Sequence, residues 1–390
     1  MSEQHVCRMD ARSRRRPGDR AGIGAVGRAT CTAAVLLAAC VLGAPAMSAD
    51  ATDEKDEKTL PKVTLVEKKK ERRVDVLVDG QPFTSYIWPD TLKKPTLHPI
   101  HTASGIVVTR GFPPGKGERA DHPHHVGLWF NYGDVNGYDF WNNSTAVTGA
   151  RAEKMGTVRH RDITRKKNGN GKAELGVTTQ WVVGPKDMVL LEEDTLFTFH
   201  APEPGVRMID RHTLLRPVGR DVFLKDNKEG LLGLRVRREL EDPNEKSGEF
   251  MDASGVVTKM ENMDATGVTG VYTSSEGKKG AEVWGTRGRW TMLSGTVEGK
   301  PVTIAILDHP GNPGFPTFWH ARGYGLFAAN PLGQAAFTEG KQQLNFVIPA
   351  YQSQLFRYRV LLLDRTPTPE EMERYYAAWA GSAAQSSARR

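Results

Sequence analysis

From Lys62 onward the chain alternates apolar and polar residues with a period of two, and Gly/Pro turn signals interrupt the alternation at short intervals. That pattern restricts the fold to pleated strands with one buried face. Val74, Val76 and Val78 share a face, Asp79-Gly80 turns the chain, and 82–88 returns as the second arm of a hairpin. Further strands are expected at 105–110, 126–132, 154–161, 173–183, 188–200, 206–216, 232–238, 280–284, 289–297, 302–308, 324–328 and 343–362. Turns fall at Asn168-Gly169-Asn170-Gly171 and Pro202-Glu203-Pro204-Gly205. The 40 glycines and 23 prolines suit such a turn-rich chain, and no βα alternation or internal repeat competes with it. The expectation is an all-β fold, a large antiparallel β-sandwich spanning 62–366.

A helix closes it. Thr368 is placed as N-cap, Pro369 as the first helical residue and Glu371 as the partner in a capping box. Met372, Tyr375, Tyr376 and Trp379 follow at helical spacing, so 367–381 reads as a C-terminal helix docked on the sandwich, and 382–390 as a disordered polar tail.

The N-terminal 49 residues read as a leader. Arg12, Arg14, Arg15 and Arg16 precede an apolar stretch that ends in small residues, with cleavage after Ala46 or Ala49. A second reading makes Leu37-Ala38-Ala39-Cys40 a lipobox with a lipid anchor at Cys40, although Val41 and Leu42 are still apolar. A third is an uncleaved anchor. The residues 50–61 form a charged linker. Export, periplasmic or extracellular, is the expected localisation, with a lipoprotein as the alternative. Cys7, Cys31 and Cys40 all lie in the leader, which leaves the remainder without thiol chemistry or disulfides. More than half of the formal net charge of +7 also belongs there, since seven Arg face Glu3, Asp10 and Asp19. The rest is too evenly mixed to argue for nucleic acid. Nothing after the leader is apolar for the roughly 18 residues that a membrane span needs.

Chemistry concentrates in Asp121-His122-Pro123-His124-His125, followed by Trp129, Tyr138, Asp139 and Trp141. Neutral imidazole binds metal and carries protons near neutral pH. In an extended chain His122 and His124 would point one way and His125 the other, with Pro123 able to supply a bend. The His122/His124 spacing allows a divalent metal completed by His320, Asp121 or Glu229; the metal-free alternative makes the histidines acid–base or substrate-binding groups. Lys225-Asp226-Asn227-Lys228-Glu229-Gly230 puts charges at a strand entrance, and Asp308-His309-Pro310-Gly311 is a loop with one imidazole. His320, Arg322 and Tyr324 stand at alternate positions, so one strand face would carry all three. Arginine offers a planar donor fork to a carboxylate or diol.

Together, D-H-P-H-H-V-G-L-W-F-N-Y-G-D, D-N-K-E-G-L-L-G-L-R-V, D-H-P-G-N-P and W-H-A-R-G-Y-G-L-F-A-A-N-P resemble the PmoA-like family of unknown function, from about Val74 to Leu363. The family's methane-oxygenase label does not carry over, because a true methane monooxygenase subunit spans the membrane repeatedly. The resemblance implies a secreted bacterial β-sandwich protein found in sugar-catabolic settings. Its motifs fall on His122, His124, His125, Lys228, Glu229, His320 and Arg322, and Val126 stands where relatives are expected to carry a basic residue. A mutarotase-like supersandwich is one form that such a fold takes, and sugar mutarotases also use His and Glu.

The expected function is an exported carbohydrate-active enzyme of isomerase, lyase or hydrolase type. His122, His124, His125, Glu229 and His320 would be catalytic. Asp121, Lys228, Arg322, Tyr324, Asp139, Trp129 and Trp141 would bind a small-molecule sugar, with Tyr138 and Trp319 as further stacking surfaces. No cofactor is required on that reading. The alternatives are a non-catalytic carbohydrate-binding protein and a metal-dependent enzyme using His122, His124 and His320.

Overall fold

The structure, a computed structural model, describes residues 60–243, 248–251, 257–260 and 265–387. The leader with Cys40, most of the charged linker and the last three residues of the tail lie outside them. Among the described residues, no helix is long and apolar enough to cross a membrane.

Two antiparallel sheets form the sandwich. The nine-stranded sheet runs in the order Phe318–Arg322, Leu326–Asn330, Leu232–Arg235, Leu128–Phe130, Thr96–Ile100, Gln81–Ile87, Arg73–Val78, Lys62–Lys68 and Gly169–Asn170. The eight-stranded sheet runs Val271–Ser274, Trp290–Val297, Lys300–Asp308, Gln354–Leu363, Val206–Pro217, Met188–His200, Lys172–Val183 and Gly156–Lys167. One core lies between them, built from alternate residues of both, such as Val74, Val76, Leu128, Phe130, Leu232 and Leu234 against Leu175, Val177, Phe197, Ile209 and Ile304. Phe83 meets Phe199, and Phe130 meets Phe356, across the sandwich. The expected all-β class and layered architecture are what these residues build.

Three strand assignments change. Residues 105–110 bury Ile106 and Val108 but make only isolated bridges, His101 to Val107 and Thr109 to Val236, because the flanking strands are largely paired already. Gly280–Val283 is a short 3-10 turn that inserts Val283 into the core. The stretch 343–362 breaks into Phe346–Ile348 and Gln354–Leu363, since the chain turns at Pro349, whose carbonyl accepts from Gln352.

The sheet strand Leu128–Phe130 has two unlike faces. Leu128 and Phe130 enter the main core, whereas Trp129 faces the other way. The pairing rows carry that second face across neighbouring strands, through Gly233, Ala328 and His320 in one row and through Arg235, Leu326 and Arg322 in the next. The outer face of this end of the sheet therefore presents an aromatic, charged surface rather than a solvated one.

The C-terminal helix runs Pro369–Ser387, beyond the expected end at 381. Its capping box is formed: the Glu371 amide donates to Thr368 Oγ1 at 3.3 Å and the Thr368 amide to Glu371 Oε2 at 2.9 Å. Met372, Tyr376 and Trp379 pack with Trp290, Met292, Leu307 and Leu361 on the outside of the eight-stranded sheet. Truncating Trp379, which is 4 % exposed, should cost about 3 kcal/mol. Chemical denaturation of Trp379→Ala checks this, with a loss of under about 1 kcal/mol showing that the helix is not integral to the domain.

Candidate functional site

The outer face of the nine-stranded sheet is organised around Asp121. Arg235, fully buried on strand Leu232–Arg235, donates from both terminal nitrogens to the two Asp121 oxygens, at 2.8 and 2.9 Å. A bidentate pair of this kind fixes orientation as well as charge. Burial alone would raise the Asp121 carboxyl, but the Arg235 charge and the hydrogen bonds from His122 and Arg235 outweigh it and hold it well below the ordinary carboxylate range. Arg110 works on the backbone instead. Its guanidinium donates to the carbonyls of Arg119, Asp121, His122 and His125 at 2.6 to 3.1 Å, which ties the whole histidine segment to one cation.

The segment is a turn, not an extended strand. The His125 amide bonds the His122 carbonyl at 2.9 Å, Pro123 occupies the second turn position and His122 adopts a φ of 45°. The turn gathers all three imidazoles on one side, contrary to the alternation expected of an extended chain. Ring centroids lie 5.6 Å apart for His122/His124, 4.7 Å for His122/His125 and 4.3 Å for His124/His125. Near-parallel stacking continues from His122 to Tyr324 at 4.8 Å and from His125 to Trp129 at 5.1 Å. A cation closes each end: Arg235 lies 5.1 Å from the Tyr324 ring and the Lys94 ammonium 5.2 Å from Trp129. Lys94 also donates to the His124 carbonyl at 2.7 Å, and burial pulls it down to about 7.

These surroundings keep the imidazoles neutral. Burial first, then the Lys94 charge, the His122 imidazole and the Arg110 and Arg235 charges, push His124 well below the ordinary histidine value. Burial followed by the neighbouring His124 and His122 and the Arg235 and Lys94 charges does the same to His125. Both rings are almost fully buried and, among the described residues, none of their four nitrogens has a hydrogen-bond partner. His122 sits nearer the surface. Its Nδ1 is 2.5 Å from Asp121 Oδ2, so Asp121 fixes the tautomer with Nδ1–H donating and Nε2 as an acceptor. Burial lowers His122 as well, against the opposing pull of Asp121.

Glu229 and His320 form the second half of the site. Glu229 precedes strand Leu232–Arg235, and its carbonyl accepts from the Gly133 amide at 2.8 Å. Burial raises its carboxyl to about 7, with Lys228, 3.6 Å away, opposing. Glu229 Oε2 lies 3.7 Å from His320 Nδ1. His320 hydrogen-bonds the Lys228 backbone and its Nδ1 has no partner, so Nε2 carries the proton and Nδ1 offers a lone pair to Glu229. Burial and the Arg322 and Lys228 charges bring His320 down to about 3. Arg322 lies between Tyr324 and Trp284, 5.7 and 5.8 Å from their rings. Tyr324 is not on the strand with His320 and Arg322; it occupies the hairpin turn between Phe318–Arg322 and Leu326–Asn330 and reaches the histidines from there.

Several expectations need correction. Trp129 and Trp141 are both completely buried, the first stacked on His125 and the second edge-on to it, and offer no face to a ligand. Gly233 is what admits them, because a Cβ there would come within 2.6 Å of Trp129 and 2.8 Å of Trp141. Trp319 is buried in the main core, where Tyr138 also packs. Both Asp139 oxygens are taken by Asn142, so this half-buried carboxyl, raised by burial, closes a turn while lying within electrostatic reach of Lys94 and Glu229. Asp226 ties down the 335–345 loop through three backbone amides, and His309 accepts from Gly311 and packs on Trp379. Val126 is buried, and its carbonyl accepts from Thr96. Among the described residues, no three His, Cys, Asp or Glu side chains converge as a metal site. Of the set His122, His124 and His320, the first has Nδ1 committed to Asp121, and a divalent cation would face Arg110, Arg235 and Lys94.

Arg110, Arg235 and Lys94 were not anticipated. Only Arg110, a lone basic residue after the apolar run 105–109, stood out as a misfit; Lys94 follows Lys93 and Arg235 is close to Arg237 and Arg238, so neither was distinguishable from a solvated charge. Asp121→Asn leaves Arg235 with a buried unpaired charge and should cost about 3 kcal/mol at neutral pH. Because the folded Asp121 carboxyl is depressed, its contribution is present above the unfolded value of about 3.9 and is lost as the pH falls further. Denaturation of both proteins across acid pH should show the gap closing; a gap that is constant with pH contradicts this.

A comparison with curated protein sequences finds no match. Among solved structures, a GalM/aldose epimerase homologue from C. elegans matches at 7% identity, covering 78% of this chain and 100% of that one, with a TM-score of 0.29. A superposition that loose says nothing of chemistry. The family model that matches, described as a family of unknown function, spans residues 73–377 and so takes in every site residue above, without the PmoA-like label. The chain belongs to this family of unknown function, DUF6807.

Proposed function

We propose that this chain is an exported carbohydrate-active enzyme that carries out acid–base chemistry on a sugar or glycoside held against Glu229, His122 and Arg322. The observation that carries the reading is Glu229, a rim carboxyl raised to about 7 beside a neutral histidine and within reach of an arginine. Near neutral pH such a carboxyl is populated in both forms, which suits proton transfer. His122 is oriented by an ionised Asp121 on Nδ1, which makes Nε2 its acceptor nitrogen, and burial favours its neutral form. The two groups titrate apart, and that separation assigns His122 as base and Glu229 as acid. Arg322, fixed by two aromatic rings, faces negative charge developing on a substrate oxygen. His124 and His125 support His122 from below. Lys228 is largely exposed at the rim, where it can meet a hydroxyl or carboxylate. The PmoA-like resemblance, with its sugar-catabolic setting, supports the same substrate class, and the leader supports action outside the cytoplasm.

The test is a screen of mono- and disaccharides, keto-sugars included, by thermal shift and then by NMR. A stabilising sugar should also be converted. Glu229→Gln should lower kcat by about 100-fold with little change in binding. The wild-type kcat/KM profile should fall as the pH rises through about 7, where the Glu229 proton is lost, and again in acid, where His122 protonates. Glu229→Gln should lack the alkaline limb. Binding without conversion would make the protein a carbohydrate receptor, and unimpaired turnover by Glu229→Gln would refute the assignment.

A further inference from the structure

A cleft of about 530 Å³ opens between the 88–95 loop and the start of strand Gly156–Lys167. Its size falls in the range of roughly 300–1,000 Å³ typical of small-molecule sites. Trp88, Leu92 and Pro95 give it apolar walls. Trp88 is fixed by His160, whose ring lies 4.1 Å away and whose Nδ1 is 3.1 Å from the Tyr86 hydroxyl. Cations supply the rest. Arg72 and Arg159 line the cleft but pair with Asp90 and Asp187. Lys93 and Arg161 have no ion-pair partner among the described residues. Asp162 and Glu67 act on His160 from one edge, with Glu67 bound to Lys166. Lys94 lines the cleft too, and its ammonium holds the His124 carbonyl.

We propose that this cleft binds a sugar acid, a uronate unit of an acidic saccharide, with its carboxylate against Lys93 and Arg161 and its apolar ring face against Trp88. The charges select the anion, because low-dielectric walls focus their field. The aromatic wall favours a ring over a bare ion such as phosphate. Only the sugar class rests on the function proposed above; the site is separate from Glu229. Lys94 is common to both, so an anion here lies one side chain from the histidine turn.

Calorimetric titration with galacturonate and digalacturonate, against galactose and galactobiose, tests this. The acidic sugars should bind roughly tenfold more tightly than the neutral ones, and Lys93→Ala/Arg161→Ala should remove that preference. Raising the ionic strength to about 0.5 M should weaken binding. Glu229→Gln should bind as the wild type does, whether or not the wild type turns any sugar over, so failure of the catalytic reading leaves this result distinct. Equal affinity for neutral sugars, unchanged binding by the double variant, displacement by inorganic phosphate at similar affinity, or loss of binding in Glu229→Gln would each overturn the proposal.

Discussion

A fully buried guanidinium against a buried carboxylate is costly unless the geometry is good and the remaining polar atoms are satisfied. Arg235 and Asp121 meet the geometric half of that condition with two near-ideal bonds, and His122 takes a further interaction on Asp121, although the Arg235 Nε is buried without a hydrogen-bond partner among the described residues. What the pair accomplishes is positional. Asp121 immediately precedes the histidine turn, so fixing it to the end of a sheet strand fixes the turn to the sheet. Arg110 then holds the turn's backbone, and the imidazoles stack between Tyr324 and Trp129 with a cation at either end. Neutral histidines follow from that electrostatic setting, and a neutral His122 with an oriented tautomer is what a base requires.

The site depends equally on how the sheet divides its faces. Strand residues that point inward are ordinary core, and their neighbours along the chain carry the chemistry outward. Gly233 and Ala328 keep the middle of that outer face low, which lets two indoles lie on it as a floor. Glu229, at the approach to one strand, and His320 and Arg322, at the end of another, then stand at the edge of the floor rather than under it. Burial acts on them unequally. It raises a carboxyl and lowers an imidazole, so one desolvated environment separates the two proton affinities in the useful direction.

Much of this was legible in the residue order. Period-2 alternation with frequent turns gave the sandwich, and the Thr368/Glu371 box located the last helix. The polar motifs around His122, Glu229 and His320 identified stretches that meet in space, with Tyr324 bridging from the His320 hairpin to His122. Other features were not legible, for physical reasons. Alternation at 105–110 is the same whether or not a partner strand has a free edge. An indole's burial depends on what lies across from it, here a glycine on the adjacent strand, so Trp129 and Trp141 read as platforms until that neighbour is known. Arg110, Arg235 and Lys94 carry their roles through contacts with residues nine or more positions away, and only the fold supplies those. The 88–95 cleft depends likewise on two segments distant in sequence.

The central claim is that one desolvated site holds a titrating carboxyl among imidazoles that do not titrate. Carbon-13 NMR of glutamate-labelled and histidine-labelled protein across pH measures this directly. The account predicts a Glu229 carboxyl midpoint near 7, with His124, His125 and His320 neutral at and above pH 6 and His122 titrating below the ordinary histidine value. A Glu229 midpoint at the ordinary value of about 4.3, or imidazoles titrating together near 6.5, would contradict it.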